Sequence, residues 1–220
     1  MSHVKSVRED SNLHRGRVRR VLRIDSSASR QGSVSRQLGD EVIRRLSAQH
    51  ADLEVIGFDL ANGIEHIDGH WVGANFTPVE KRSSEQRRRL DASDEAIAQL
   101  NWADAVVLTA PVYNFSVPSV LKAWIDHVCR AGLSFRYTEQ GPQGLLADRP
   151  VYLAMASGGV PFGSPADFAS SYLKQVLGFI GIEDVRLIGA DGVAADAGAA
   201  MRKALAVLDN WLPAAVDRVA

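Results

Sequence analysis

The chain of 220 residues contains one cysteine, Cys129, so no intrachain disulfide framework can form. That usage fits a reducing compartment, and a cytoplasmic location is the expectation. Charge of one sign is also lacking: 25 Lys and Arg oppose 26 Asp and Glu, a formal net charge of −1. Such a balance gives no reason to expect nucleic acid or an anionic membrane as a partner. No apolar run approaches the roughly 18–20 residues of a membrane span, and the N-terminus lacks the apolar middle of a secretory signal. The patterns G-x-x-x-x-G-K-[ST], G-x-G-x-x-G and G-x-S-x-G occur nowhere, which argues against a triphosphate P-loop, a dinucleotide fingerprint and a nucleophile elbow. His66 and His70 are four apart, but Gly69 lies between them and no third ligand is evident, so no metal site is expected. Cys129 reads as a packed, inert thiol.

Hydrophobic content of 46 % and charged content of 23 % are those of an ordinary globular α/β domain. Residues 1–17, ending in an Arg-rich stretch, read as a disordered extension, and residues 18–220 as one domain. Apolar runs at Val18–Asp25, Asp104–Ala110, Val151–Ala156 and Val185–Ile188 predict strands, and Asp52–Leu60 alternates as a half-buried strand should. Helices are predicted from Ser33, over Glu85–Leu100, through Val117–Val128 with Pro118 in the first turn, over Ala166–Phe179, and at the C-terminus through Met201, Leu205, Leu208, Leu212, Val216 and Val219. Residues 61–83 show no period and read as a long functional or interface loop, in which Trp71 and Phe76 fit ordinary surface residues, a core plug or, the favoured reading, a dimer contact. Ser134–Tyr137 and the turn at Gly141–Pro142 suggest a small hairpin. Five strands alternating with helices predict a doubly wound five-stranded parallel sheet of order 2-1-3-4-5 with helices on both faces. Ligands of such sheets bind at the C-terminal strand ends.

Three unusual loops fall on that edge. V-L-R-I-D-S-S-A-S-R-Q-G-S-V-S, residues 21–35, is an apolar run that empties into five serines and one glycine before a helix. Hydroxyls and backbone N–H groups at a helix N-terminus form a phosphate cradle, and without lysine it suits a single phosphate monoester. A plain helix N-cap in a polar turn fits the same residues. A-P-V-Y-N-F-S-V-P, residues 110–118, exposes Tyr113 and Phe115 beside Asn114, which can hold the face and edge of a flat heteroaromatic ring. A helix-entry turn with core-packed aromatics is the other reading. A-S-G-G-V, residues 156–160, offers paired glycines that allow close approach to a ligand and unusual backbone angles; an ordinary turn fits as well.

On these segments, together with R-A-G-L-S-F-R-Y-T-E-Q-G-P-Q-G-L at 130–145 and L-G-F-I-G-I at 177–182, the chain resembles the FMN-dependent NADH-azoreductases, also described as NADH:quinone oxidoreductases, of flavodoxin-like fold. The likeness runs from about residue 19 to the end. It implies that Ser27, Ser33, Val34 and Ser35 hold the FMN phosphate. It implies that Val112, Tyr113, Asn114 and Phe115, with Ala156, Ser157, Gly158 and Gly159, hold the isoalloxazine. Ser-Arg-Gly-Gly is frequent in the family at that last turn; here Ala156 and Ser157 replace its first two residues, and the backbone role of the glycines remains. Asn114, Phe115 and Phe162 are expected on the substrate side. The implied activity is ping-pong, two-electron reduction of quinones and azo compounds by NADH or NADPH through FMN, with no essential catalytic side chain. The implied assembly is a homodimer with FMN near the interface, which would give the 61–83 loop a use as a wall over the partner's flavin. The alternative is a flavodoxin-type electron carrier; such carriers are usually strongly acidic, unlike this chain.

Overall fold

Three short segments with buried runs, R-V-L-R-I-D, A-V-V-L-T-A-P and V-Y-L-A-M-A, form the middle of the sheet. The computed structural model describes residues 18–214. The residues expected as an extension, 1–17, and the predicted helical positions Val216 and Val219 lie outside that range. Strands β1 (Arg20–Asp25), β2 (Glu54–Asp59), β3 (Ala105–Pro111), β6 (Val151–Ala156) and β7 (Val185–Ala190) make one parallel sheet in the order β2-β1-β3-β6-β7. Counting sheet strands alone, this is the expected 2-1-3-4-5. Every residue of β6 and all but Pro111 of β3 are buried, as befits strands covered on both faces. Register aligns Asp25 with Thr109 and Pro111 with Ala156, so the C-terminal ends of β1, β3 and β6 share one edge.

Helices α1 (Val34–Gln49) and α6 (Ala197–Asp209) cover one face, through Leu38, Val42 and Leu46 and through Ala200, Ala204 and Leu208. Helices α3 (Ser84–Trp102), α4 (Ser119–Val128) and α5 (Phe168–Phe179) cover the other, through Leu100, Trp124 and Leu173 among others. Arg149 is buried at the C-terminus of α3. Its guanidinium donates to the carbonyls of Leu100 and Ala103, and its Nε donates to Ala147 O at 3.0 Å, satisfying acceptors that the helix itself leaves open.

The expected alternation of the second strand is present: Ile56, Phe58 and Leu60 pack on one face of the core, while Val55 and Gly57 between them are exposed, as suits an edge strand beside β1. Two expectations are corrected. The 61–83 segment is not a continuous loop: it contains α2 (Gly69–Phe76), capped by Asp68, whose carboxylate accepts from Trp71 N at 2.7 Å. Trp71 is 7 % exposed and packs on Ala74 and Leu90, so its ring serves the interior of the subunit; Phe76 is the exposed aromatic at 79 %. Below α2, the fully buried Arg130 donates to Asn75 Oδ1 at 3.0 Å and pairs with Asp94, and His127 Nε2 donates to Glu65 O at 2.8 Å.

The expected hairpin is present as β4 (Phe135–Thr138) and β5 (Gly141–Gly144), paired antiparallel. It is fastened to the end of α5, where Leu146 N donates to Ile180 O at 3.0 Å. Gly181, at φ +106°, turns the chain out of α5 and lies against the backbone of Gly144.

On α1, Glu41 accepts from Arg44 and Arg45, each at 2.7 Å, and Arg45 also donates to Leu212 O at 2.6 Å, tying α1 to the end of α6. The hydrogen bond from Arg44, aided by Arg45, holds the Glu41 carboxyl at about 2, against an ordinary 4.5, despite the cost of burial. A depressed folded pKa stabilises above the unfolded value and loses that contribution as pH falls through the folded one. Unfolding free energy is therefore expected to climb between pH 2 and 4.5, and Glu41→Gln should flatten that limb by roughly 1 kcal/mol after allowance for solvent screening. Urea titrations of both proteins at stepped pH values check this.

Candidate functional site

The first loop leaves β1 at Asp25 and returns at Ser33. Ser26 fixes its start: its N–H and its hydroxyl both donate to Thr109 O, at 3.1 and 2.7 Å. Gly32, at φ +69°, reverses the chain, and Ser33 caps α1 by accepting from Arg36 N at 3.5 Å. Ser27 and Ser35 are buried, and the Ser33 and Ser35 hydroxyl oxygens stand 3.2 Å apart. The N-cap and the cradle readings of this loop are thus compatible. Ser33 caps with its side chain, while the early N–H groups of α1 still point along the helix axis with no partner in the helix.

A layer of ion pairs lies under this loop, and none of it was read from the sequence. Arg36 Nη2 donates to Ser27 O at 2.8 Å and to Asp59 Oδ1 at 2.7 Å, and Arg36 Nη1 stands 3.5 Å from Asp25. Arg23 pairs with Asp25 at 2.9 Å and with Asp40, and Arg30 stands 3.6 Å from Asp59. Thr109 Oγ1 donates to Asp25 Oδ1 at 2.7 Å. Burial would raise the Asp59 carboxyl, but the Arg36 hydrogen bond, the Ala61 N–H and the Arg36 and Arg30 charges together hold it below its ordinary value. Two signals were available: a carboxylate ending a buried strand, and an arginine in a helix's first turn, where the dipole disfavours a cation.

The second loop follows β3. Tyr113 and Ser116 exchange both backbone hydrogen bonds, at 2.9 and 3.0 Å, around Asn114 at φ +48° and Phe115 at φ +69°. This is a two-residue turn with both central residues left-handed, a conformation that glycine adopts freely and phenylalanine rarely. The backbone strain is spent on holding Tyr113, Asn114 and Phe115 out of the core: all three are exposed, Phe115 by 57 %. The helix-entry alternative with core-packed aromatics is thereby set aside.

Val112 N donates to Ala156 O at 2.8 Å, which clamps the second loop to the third. In the third loop Ser157 is buried, its hydroxyl accepts from Val160 N at 2.9 Å, and its N–H donates to Ala190 O at 2.9 Å, so its polar groups are occupied within the fold. Gly158 and Gly159 do not adopt the left-handed angles anticipated for them. Their use is space. A Cβ on Gly159 would meet no atom within 4 Å, and one on Gly158 only Ala194 Cβ at 3.8 Å. Phe162 is half-buried with its ring over Gly189 of β7, where a Cβ would come within 2.4 Å of it.

The structure thus brings the Ser27/Ser33/Ser35 loop, the Val112–Phe115 turn and the Ala156–Gly159 turn to the ends of β1, β3 and β6, the first two flanking the point where strand order reverses. Hydroxyls and free helix N–H groups on one side, exposed aromatics beside an open glycine on the other, fit a phosphate monoester joined to a flat ring, as in FMN.

This is a flavodoxin-like α/β architecture with its ligand edge at the strand C-termini. The family model described as flavodoxin-like fold matches residues 19–212, and the chain belongs to that family. Over 179 residues it is 45 % identical to the FMN-dependent NADH:quinone oxidoreductase 1 of Hahella chejuensis, covering 81 % of this chain and 88 % of that one. It is 48 % identical over 175 residues to the FMN-dependent NADH:quinone oxidoreductase of Azotobacter vinelandii, covering 79 % and 88 %. Among solved structures, an azoreductase from Bacillus anthracis superposes with a TM-score of 0.77 at 26 % identity, covering 87 % of this chain and 96 % of its own.

Proposed function

We infer that this chain is an FMN-dependent NADH:quinone oxidoreductase that also reduces azo compounds. The observation that carries this is the meeting of the serine loop, the Tyr113–Phe115 turn and the glycine turn at one sheet edge, in a chain nearly half identical to enzymes of that name. FMN, when bound, supplies the hydride and electron-pair chemistry. The chain's own residues bind, orient and screen.

In our reading Ser27, Ser33, Val34 and Ser35 take the phosphate through hydroxyls and helix N–H groups. Val112, Tyr113, Asn114 and Phe115 line the ring on one side, and Ala156, Ser157, Gly158 and Gly159 present backbone to it on the other. The left-handed turn supports that assignment, because it aims Asn114 and Phe115 outward before any ligand arrives. Asn114 and Phe115 then also border the substrate, with Phe162 beyond them. Donor and acceptor use one pocket in turn, which gives ping-pong kinetics, and water supplies the protons. NADH is the donor; the acceptance of NADPH is a matter for the same assay.

A homodimer is the assembly we propose. Its support is an apolar groove of about 630 Å³ between α4 and α5, lined by Val117, Tyr172 and the 61 % exposed Phe168 and continuous with Ser116 of the ring-binding turn. We place the enzyme in the cytoplasm, where NADH is supplied. Among the described residues no helix is long and apolar enough to cross a membrane.

The test is anaerobic. FMN-loaded protein is mixed with NADH, the visible flavin band is followed, and a benzoquinone is then added. Bleaching by NADH and recovery on quinone addition are expected. Bound FMN that NADH leaves unbleached would instead identify an electron carrier, and a protein that takes up no FMN would end the cofactor assignment.

A further inference from the structure

Arg36 stands in the first turn of α1, where the helix dipole opposes a cation. Its side chain does not escape into solvent. It runs back under the serine loop, and its guanidinium reaches Ser27 O at 2.8 Å, Asp59 at 2.7 Å and Asp25 at 3.5 Å. Its Nε is buried and has no partner among the described residues. Three arginines, Arg23, Arg36 and, from the loop itself, Arg30, face three carboxylates, Asp25, Asp40 and Asp59, so the charges around the loop sum to zero. Of the three arginines, Arg36 is the one that bonds to the loop's backbone as well as to the end of β2. A phosphate at the loop would bring two further negative charges close to Asp25 and Asp59.

We propose that Arg36 is the positioning residue of the phosphate cradle. It holds the Ser27 carbonyl inward, so that this peptide presents no acceptor to an anion. It also supplies one of the three positive charges that keep Asp25, Asp40 and Asp59 neutralised, so that without it a net negative charge would face the phosphate. Arg36 thereby sets the preference for FMN over riboflavin, which carries the same ring and ribityl chain but no charge. This rests on the FMN reading of the site.

The experiment compares FMN with riboflavin. Apoprotein is titrated with each, read by quenching of flavin fluorescence, for the wild type, Arg36→Lys, Arg36→Gln and the double variant Arg36→Gln/Asp59→Asn. Arg36→Gln should weaken FMN by about thirtyfold or more and riboflavin by less than about threefold, because a charge-assisted contact and its neutralising role go together. The double variant should regain at least about threefold in FMN, since one stranded carboxylate is gone. Arg36→Lys keeps the charge but its single ammonium cannot span Ser27 O and Asp59; it should weaken FMN by about five- to tenfold and leave riboflavin unchanged. The lysine variant carries the test if the glutamine variant does not fold. Where the wild type binds FMN, variants that weaken both flavins equally, or neither, and so keep the wild-type FMN-to-riboflavin ratio, would overturn the proposal alone. A wild type that binds neither flavin would overturn the FMN reading with it.

Discussion

Gly159→Leu is expected to leave the thermal midpoint of the apoprotein unchanged and to weaken FMN binding by about a hundredfold. The two halves of that result come from one fact. A Cβ at Gly159 meets nothing within 4 Å, and its backbone is outside the left-handed region, so the folded chain can carry a side chain there without clash or strain. In the reading proposed above, the flavin ring takes this space, and an isobutyl group in the turn after β6 would compete with it. Gly159→Ala should give a smaller loss in the same direction. The measurements are a thermal melt without flavin and a fluorescence titration with it. Full FMN affinity in Gly159→Leu would place the ring elsewhere.

Gly144→Ala should do the reverse: a large loss of stability with its origin far from the ring. The added methyl would sit 2.2 Å from Gly181 N and 2.5 Å from the Ile180 carbonyl carbon, both backbone atoms that no rotamer change can move. Gly181 cannot retreat, because its φ of +106° is the turn that ends α5 and its own Cβ position is blocked by Leu146 O at 2.5 Å. Hairpin and helix must part. A cost of about 3 kcal/mol, or roughly 6–12 °C in the melting midpoint, is expected. Gly73→Ala on α2, where a Cβ has open space, is the control and should be neutral or stabilising.

Of the glycines in the 130–145 stretch, Gly132 and Gly141 hold left-handed angles, whereas Gly144 is demanded by a close approach to a residue 37 positions later, which spacing alone does not disclose. What was legible followed from periodicity. β3 and β6 are buried on both faces and read as unbroken apolar runs, and Ser33 announced the start of α1. What was hidden depended on partners. Helix α2 is eight residues long, includes Gly69 and Gly73, and buries only Trp71 and Ala74, too few to print a helical period. The inward turn of Trp71 follows from its contact with Leu90 on α3, a residue 19 positions later. The site's loops were found because each is odd by itself. The ion-pair layer below them was missed because Arg36, Asp59, Asp25 and Thr109 come from four elements and look ordinary one at a time.

Cys129 caps the end of α4, half-buried, and burial, reinforced by the nearby Asp126 charge, pushes its thiol up to about 11. A thiol raised this far stays protonated at neutral pH, whereas the thiolate is the form that attacks electrophiles. Quinones are electrophiles that alkylate thiolates by conjugate addition. An enzyme that turns them over meets them at every cycle, and this chain has a single sulfhydryl to lose. A protonated, packed thiol is a poor target for that addition.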